Sequence, residues 1–218
     1  LDAYKWQLQT FLEGEPFIDQ FYQVGLNQGS HFNLFYLFNV GHPLKTRENV
    51  EDFIARLSAV DDQMACLREN LNISREKGTL PPRDVLLTAQ SQIMTIQTGS
   101  ARHLYLFGRF QTELESVANL TTSEKSMYLN QLEEAIEANL IPGYMSLSAL
   151  LEELYEIAPV EQSIVAASGD NRFYRYLLKK ESSSAFSADD LFNKGESEAA
   201  IIRDIISTKL EELNYIDK

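Results

Sequence analysis

Val50, Phe53, Leu57, Val60, Met64, Leu67 and Leu71 recur at alternating steps of three and four residues. That spacing lays all seven along one stripe of an α-helix and scatters them over both faces of a strand. A stripe this long is the packing seam of a helix bundle, and it constrains the fold more than any other feature of the chain. Thr46 is suited to cap its start, Glu48 and Glu51 put negative charge near the positive end of the dipole, and Gly78 stops it after Lys77. The spacing predicts one helix of about 30 residues, or about 45 Å at 1.5 Å per residue.

Other segments carry the same period. Leu129, Leu132, Ile136, Leu140, Leu147, Leu151 and Leu154 form a second stripe that begins near Thr122 or Ser123. Pro142-Gly143 falls inside it; proline removes a backbone donor and crowds the preceding turn, so a kink or break is expected there. Pro81-Pro82 with Asp84 opens a further helix to about Gln97. Asp170 leads into a shorter one through Leu178, and Ser187 with Asp190 approximates a capping box for the last helix. Gly195 lies in that helix's apolar stripe (Leu191, Ala199, Ile202, Ile206, Leu210, Leu213). It costs about 1 kcal/mol in helix propensity, which close approach of another backbone would explain. Near the start, Asp2 to Leu12 forms a short helix offering Ala3, Trp6, Leu8 and Leu12 as contacts. Ser30 is placed to cap a very apolar helix from His31 to Phe38, which needs cover on most sides. No long strand-like alternation competes, so the expected fold is all-α: a long-helix bundle forming a single helical domain over residues 1–218.

Composition narrows the function. Nineteen Lys and Arg against 32 Asp and Glu give a formal net charge of −13, and such a surface repels duplex phosphate on average. Nucleic acid is not an expected partner. No apolar run approaches the roughly 18 residues of a membrane span. Cys66 stands alone, so neither an intrachain disulfide nor a Cys-based zinc site can form. Its helical setting predicts a buried, inert thiol.

Few residues suggest chemistry. His31, His42 and His103 lack the spacing of a His-Glu-x-x-His helix. Asn27, Gln28 and His31, flanked by Gly25 and Gly29, gather amides and an imidazole able to hold a small polar ligand. The plainer reading is a loop that bonds its own backbone. Arg172, Arg175, Lys179 and Lys180, interleaved with Tyr174 and Tyr176, form a basic and aromatic segment suited to an anion or a peptide carboxylate. Its plainer reading is pairing with acidic neighbours. Glu133-Glu134 and Glu152-Glu153 are expected on solvated helix faces, and Ser182 to Ser184 in a linker or cap. No catalytic residue and no metal ligand is assigned.

Several segments in order resemble the bacterial family known as domain of unknown function 885. They are Trp6-Gln7-Leu8, His42-Pro43-Leu44 ahead of Val50 to Leu57, Lys77-Gly78-Thr79-Leu80-Pro81-Pro82-Arg83, and Leu140-Ile141-Pro142-Gly143-Tyr144. Phe173 to Leu178 and Ser187 to Leu191 leading to Gly195 complete the series. Members of that family look like zinc-dependent peptidases and are considerably longer. Their metal motif, a His-Glu segment followed by Pro-Gly-His-His, lies in the second half and has no match here. Phe192 stands where the family often has His.

The resemblance implies a non-catalytic amino-terminal helical portion of a metallopeptidase-like protein, forming part of a peptide-substrate cleft. Asn27, Gln28, His31, Arg172, Arg175 and Tyr176 are the candidate substrate contacts. Zinc would belong to the full-length parent rather than to this chain, whose partner would be the remaining carboxy-terminal half. The bacterial periplasm or cell envelope is the compartment the resemblance implies. The rival expectation is a helical binding or scaffold module for a protein or peptide, with no enzymatic activity.

Overall fold

The structure is a computed structural model that describes residues 2–26, 29–97, 100–160, 171–213 and 215. The fold is all-α, with an isolated antiparallel bridge between Val24 and Gly29. The chain divides into two compact units, residues 1–18 with 164–218 and residues 19–163.

The unit of residues 19–163 begins with α2 (Ser30–Tyr36), followed by a π-turn, Leu37–Gly41. Ser30 is the first residue of the helix rather than its cap. Gly29 takes the cap position at φ 107°, a conformation costly to a side chain. The long seam forms two helices, α3 (Arg47–Ser58) and α4 (Val60–Lys77), instead of the single one its period predicts. They part at Ala59, whose backbone (φ −92°, ψ 3°) leaves the helical region. Asp61 and Asp62 then suit the first turn of a new helix. The break does not disturb the stripe, because all seven seam residues are buried. Thr46 caps α3 by accepting from the Asn49 N–H, and Gly78 ends α4 in the left-handed region.

Next come α5 (Arg83–Gln97), α6 (Tyr105–Leu114), α7 (Thr122–Ala135) and α8 (Ile141–Ile157). Thr121 and Glu124 form a reciprocal capping box at the start of α7. The interruption expected at Pro142 is a π-turn, Ile136–Leu140, that joins α7 to α8. Proline cannot donate to the carbonyl one turn back, and the wider turn relieves the clash its ring would cause. α8 packs against both α4 and α5, and α3 against α7. At Gly143 the α4 backbone comes so near that an added Cβ would lie 3.2 Å from the Asp61 Cα.

Two arginines satisfy carbonyls that irregular helix geometry leaves over. Arg109 of α6 donates to the Phe38 and His42 carbonyls at the π-turn after α2, and to Glu113. Arg83 donates through Nε to the Ala158 carbonyl and through Nη2 to that of Glu156, closing the C-terminal end of α8.

In the other unit, α1 (Asp2–Glu13) packs on α9 (Arg172–Ser182), which precedes α10 (Ala188–Glu212). Phe17 stacks at 5.7 Å on Phe173 and at 5.3 Å on Tyr176. Trp6 lies beneath the Lys179 ammonium, 4.8 Å from the ring centre. Leu8 and Leu12, expected as contacts, remain exposed. α10 is capped by the predicted box, in which Ser187 and Asp190 each accept the other's backbone N–H. The helix expected to follow Asp170 runs on to Ser182, while Asp170 itself lies outside the described residues.

Candidate functional site

Candidate contacts singled out from the sequence line a cavity in each unit. In the unit of residues 19–163, His31, Phe32 and Phe35 from α2, Gln92 and Ile96 from α5, and Tyr144 from α8 line a cavity of about 180 Å³. That volume admits a few waters or a small apolar group. Tyr144 crosses beneath α2 and donates its hydroxyl to the His31 carbonyl at 2.6 Å. Burial raises the Tyr144 pKa, so the phenol stays protonated and remains a donor.

His31 is almost wholly buried and its tautomer is set by a chain of hydrogen bonds. Gln92 donates through Nε2 to the Leu26 carbonyl at 2.7 Å, which leaves its Oε1 as the acceptor 3.1 Å from His31 Nε2. The proton therefore sits on Nε2. Among the described residues His31 Nδ1 has no hydrogen-bonding partner. Burial lowers the His31 pKa, outweighing the opposing Gln92 bond, and keeps the ring neutral. Asn27 and Gln28 lie outside the described residues.

The second cavity, about 610 Å³, lies along α9 and the start of α10. Trp6, Tyr174, Leu178 and Phe186 supply apolar wall, with Arg175 and Lys179 as cationic groups. This size lies within the range of small-molecule and side-chain pockets. Arg175 is exposed and donates to Asn171 Oδ1, and Lys179 pairs with Glu13 of α1. Arg172 is exposed on the same helix but does not line this cavity. Tyr176 points the other way, buried against Phe17, with its hydroxyl in the space that a side chain at Gly14 would need. Of the six candidate contacts, then, Arg175 lines one cavity and His31 the other. The wall residues Trp6 and Phe186 had no functional signal in the sequence, because only the tertiary fold brings them to α9.

The remaining polar candidates have structural surroundings. His42 bonds the Pro43 carbonyl and packs edge-on against Phe53, and His103 bonds Ser100. Glu133 pairs with Arg102, while Glu134, Glu152 and Glu153 are exposed. Ser183 adopts the left-handed conformation that ends α9. Cys66 is exposed on α4, which corrects the expectation of a buried thiol: it falls on the opposite side of the helix from the stripe. Among the described residues no three His, Cys, Asp or Glu side chains are grouped to hold a metal, so zinc finds no ligand set among them. No helix among them is long and apolar enough to cross a membrane.

These features define an all-α helical protein with a side-chain-lined cleft in each of its two units. The chain belongs to the family described as "Bacterial protein of unknown function (DUF885)", whose model matches residues 1–217. Its fold is similar to the crystal structure of a "putative lipoprotein" from Colwellia psychrerythraea, with a TM-score of 0.81 and 23% identity. That likeness covers 90% of this chain and 34% of the other, so the chain spans about a third of that protein's length. No curated protein matches the chain.

Proposed function

We propose that residues 1–218 are the amino-terminal helical portion of a longer, zinc-dependent metallopeptidase-like protein, in which they line part of a peptide cleft and supply no catalytic group. The carrying observation is one of length: a chain matched almost throughout by a single family model covers only 34% of a solved protein with the same fold. The peptidase character rests on the ordered family resemblance. The cleft along α9 supports the substrate class, since apolar walls beside the Arg175 guanidinium suit a peptide side chain and a carboxylate. The name of the Colwellia protein supports a place in the bacterial envelope.

The test is peptide hydrolysis by the full-length gene product, lost with a chelator and restored by zinc, with residues 1–218 alone inactive. Chelator-sensitive cleavage by residues 1–218 alone would overturn the non-catalytic role. A full-length protein that cleaves no peptide but binds one protein stoichiometrically would establish the rival, a helical binding or scaffold module.

A further inference from the structure

α10 is 25 residues long and buries none of them. Phe192, Ile201, Ile202, Ile205, Ile206 and Leu210 are each between 43% and 68% exposed. At 100° per residue these six fall within one half of the helix circumference, and Asp204, Ser207 and Glu211 fall on the other half. An isolated helix with four isoleucines gains little from propensity, and an apolar stripe of this kind, here shared with the Lys194–Glu198 and Lys209–Glu212 ion pairs, is normally stabilised by what covers it. Gly195 lies on the same face. No atom beyond the adjoining backbone of its own helix comes within 4 Å of where its side chain would begin, so the close backbone approach expected of it is not made within the described residues.

We infer that this face docks, within one polypeptide, against a helix of the segment that follows residue 218 in the longer protein, with the partner helix crossing closest at Gly195. The inference rests on the length part of the proposed function and not on peptidase activity. Three observations favour this occupant. About two thirds of the structurally similar Colwellia chain lies outside the shared part, so a covering segment of ample size is available. A second copy would bring together two chains of net charge −13 each, which opposes self-association. A membrane surface calls for a basic polar face, and the polar half of α10 is mainly acidic. A side-chain-free position in a packing stripe lets two helix axes approach closely, toward the lower end of the usual 8–10 Å.

The test uses the full-length gene product in a Cys66→Ser background, because the native thiol is exposed. Maleimide labelling of Ile202→Cys should be at least tenfold slower than that of Asp204→Cys on the polar face. Ile206→Cys repeats the measurement should Ile202→Cys fail to fold by circular dichroism. A photo-crosslinking side chain placed at Ile202 should join a peptide beyond residue 218 of the same molecule. Equal labelling, a crosslink to a second copy or to residues 1–218, or a gene product with nothing beyond residue 218 each overturns the inference. Chelator-sensitive hydrolysis is scored on the same preparation. A masked helix without hydrolysis ends the peptidase reading alone, and hydrolysis with an accessible helix ends the docking alone.

Discussion

Single residues govern how this protein should respond to acid. Burial holds the pKa of both His31 and His42 below the ordinary 6.5; around His42, Arg56 and Arg109 lower it further, while the Pro43 bond and Asp52 oppose the shift. A folded-state value below the unfolded one means that the unfolded chain takes up the proton first. Stability from these groups is therefore complete above pH 6.5 and falls as pH drops from 6.5 toward the folded-state values. Urea midpoints should decrease between pH 7.5 and 5, and the imidazole NMR signals of both residues should titrate below 6.5; midpoints unchanged over that range would contradict the assignment. A second acid limb belongs to Glu124. Its backbone bond to Thr121 and its contacts with Arg47 and the Thr121 hydroxyl hold the carboxyl at about 2, against 4.5 in the unfolded chain. That contribution is present above pH 4.5 and is lost as pH falls from 4.5 to about 2. Arg47→Ala should raise the Glu124 value, readable from the carboxyl carbon shift.

Elements hold together through a few contacts that sequence periodicity cannot display. Arg109 is nearly buried and serves two carbonyls at the π-turn after α2 as well as Glu113. Arg109→Ala should cost about 2–3 kcal/mol in chemical denaturation, since it leaves those carbonyls without their charged donor. Lysine would restore the charge but not the fork, and should recover part of the loss. At the α4–α8 crossing, Gly143→Val should destabilise by about 1–3 kcal/mol, because the nearest obstacle is the Asp61 main chain rather than a movable side-chain tip. Gly143→Val with wild-type stability would mean that the two helices pack less closely than described. The break between α3 and α4 was not legible, because the apolar stripe passes through Ala59 without a change of phase. Tyr105–Leu114 was missed for another reason: it is short and contains Gly108, so its buried stripe of Leu106, Phe107, Phe110 and Leu114 repeats over too few turns to stand out.

For the whole molecule, the charge of −13 leads to an expectation independent of any site. No retention of duplex DNA should occur even at about 50 mM salt, where phosphate contacts are strongest. A mobility shift that weakens steeply with salt would reveal a basic surface that the overall balance conceals. Arg175 gives the corresponding test of the cleft. In the active full-length protein, Arg175→Ala should raise KM for peptides several-fold and leave kcat nearly unchanged, because the exposed guanidinium would bind substrate without touching the reacting bond.

The sequence by itself determined the all-α class, the long apolar stripes, the caps at Thr46 and Ser187, and membership of the family. These depend on local spacing and on short-range hydrogen bonds, which a linear reading contains in full. Tertiary structure alone decided which side chains of α9 face a cleft. Arg175 and Tyr176 are neighbours in sequence, yet 100° of helical rotation puts one beside the cavity and the other under Phe17. It alone joined His31 to Gln92 and Tyr144 across 61 and 113 residues. It alone left the stripe of α10 uncovered, because whether an apolar face is core or interface depends on what lies opposite, and a period does not encode that.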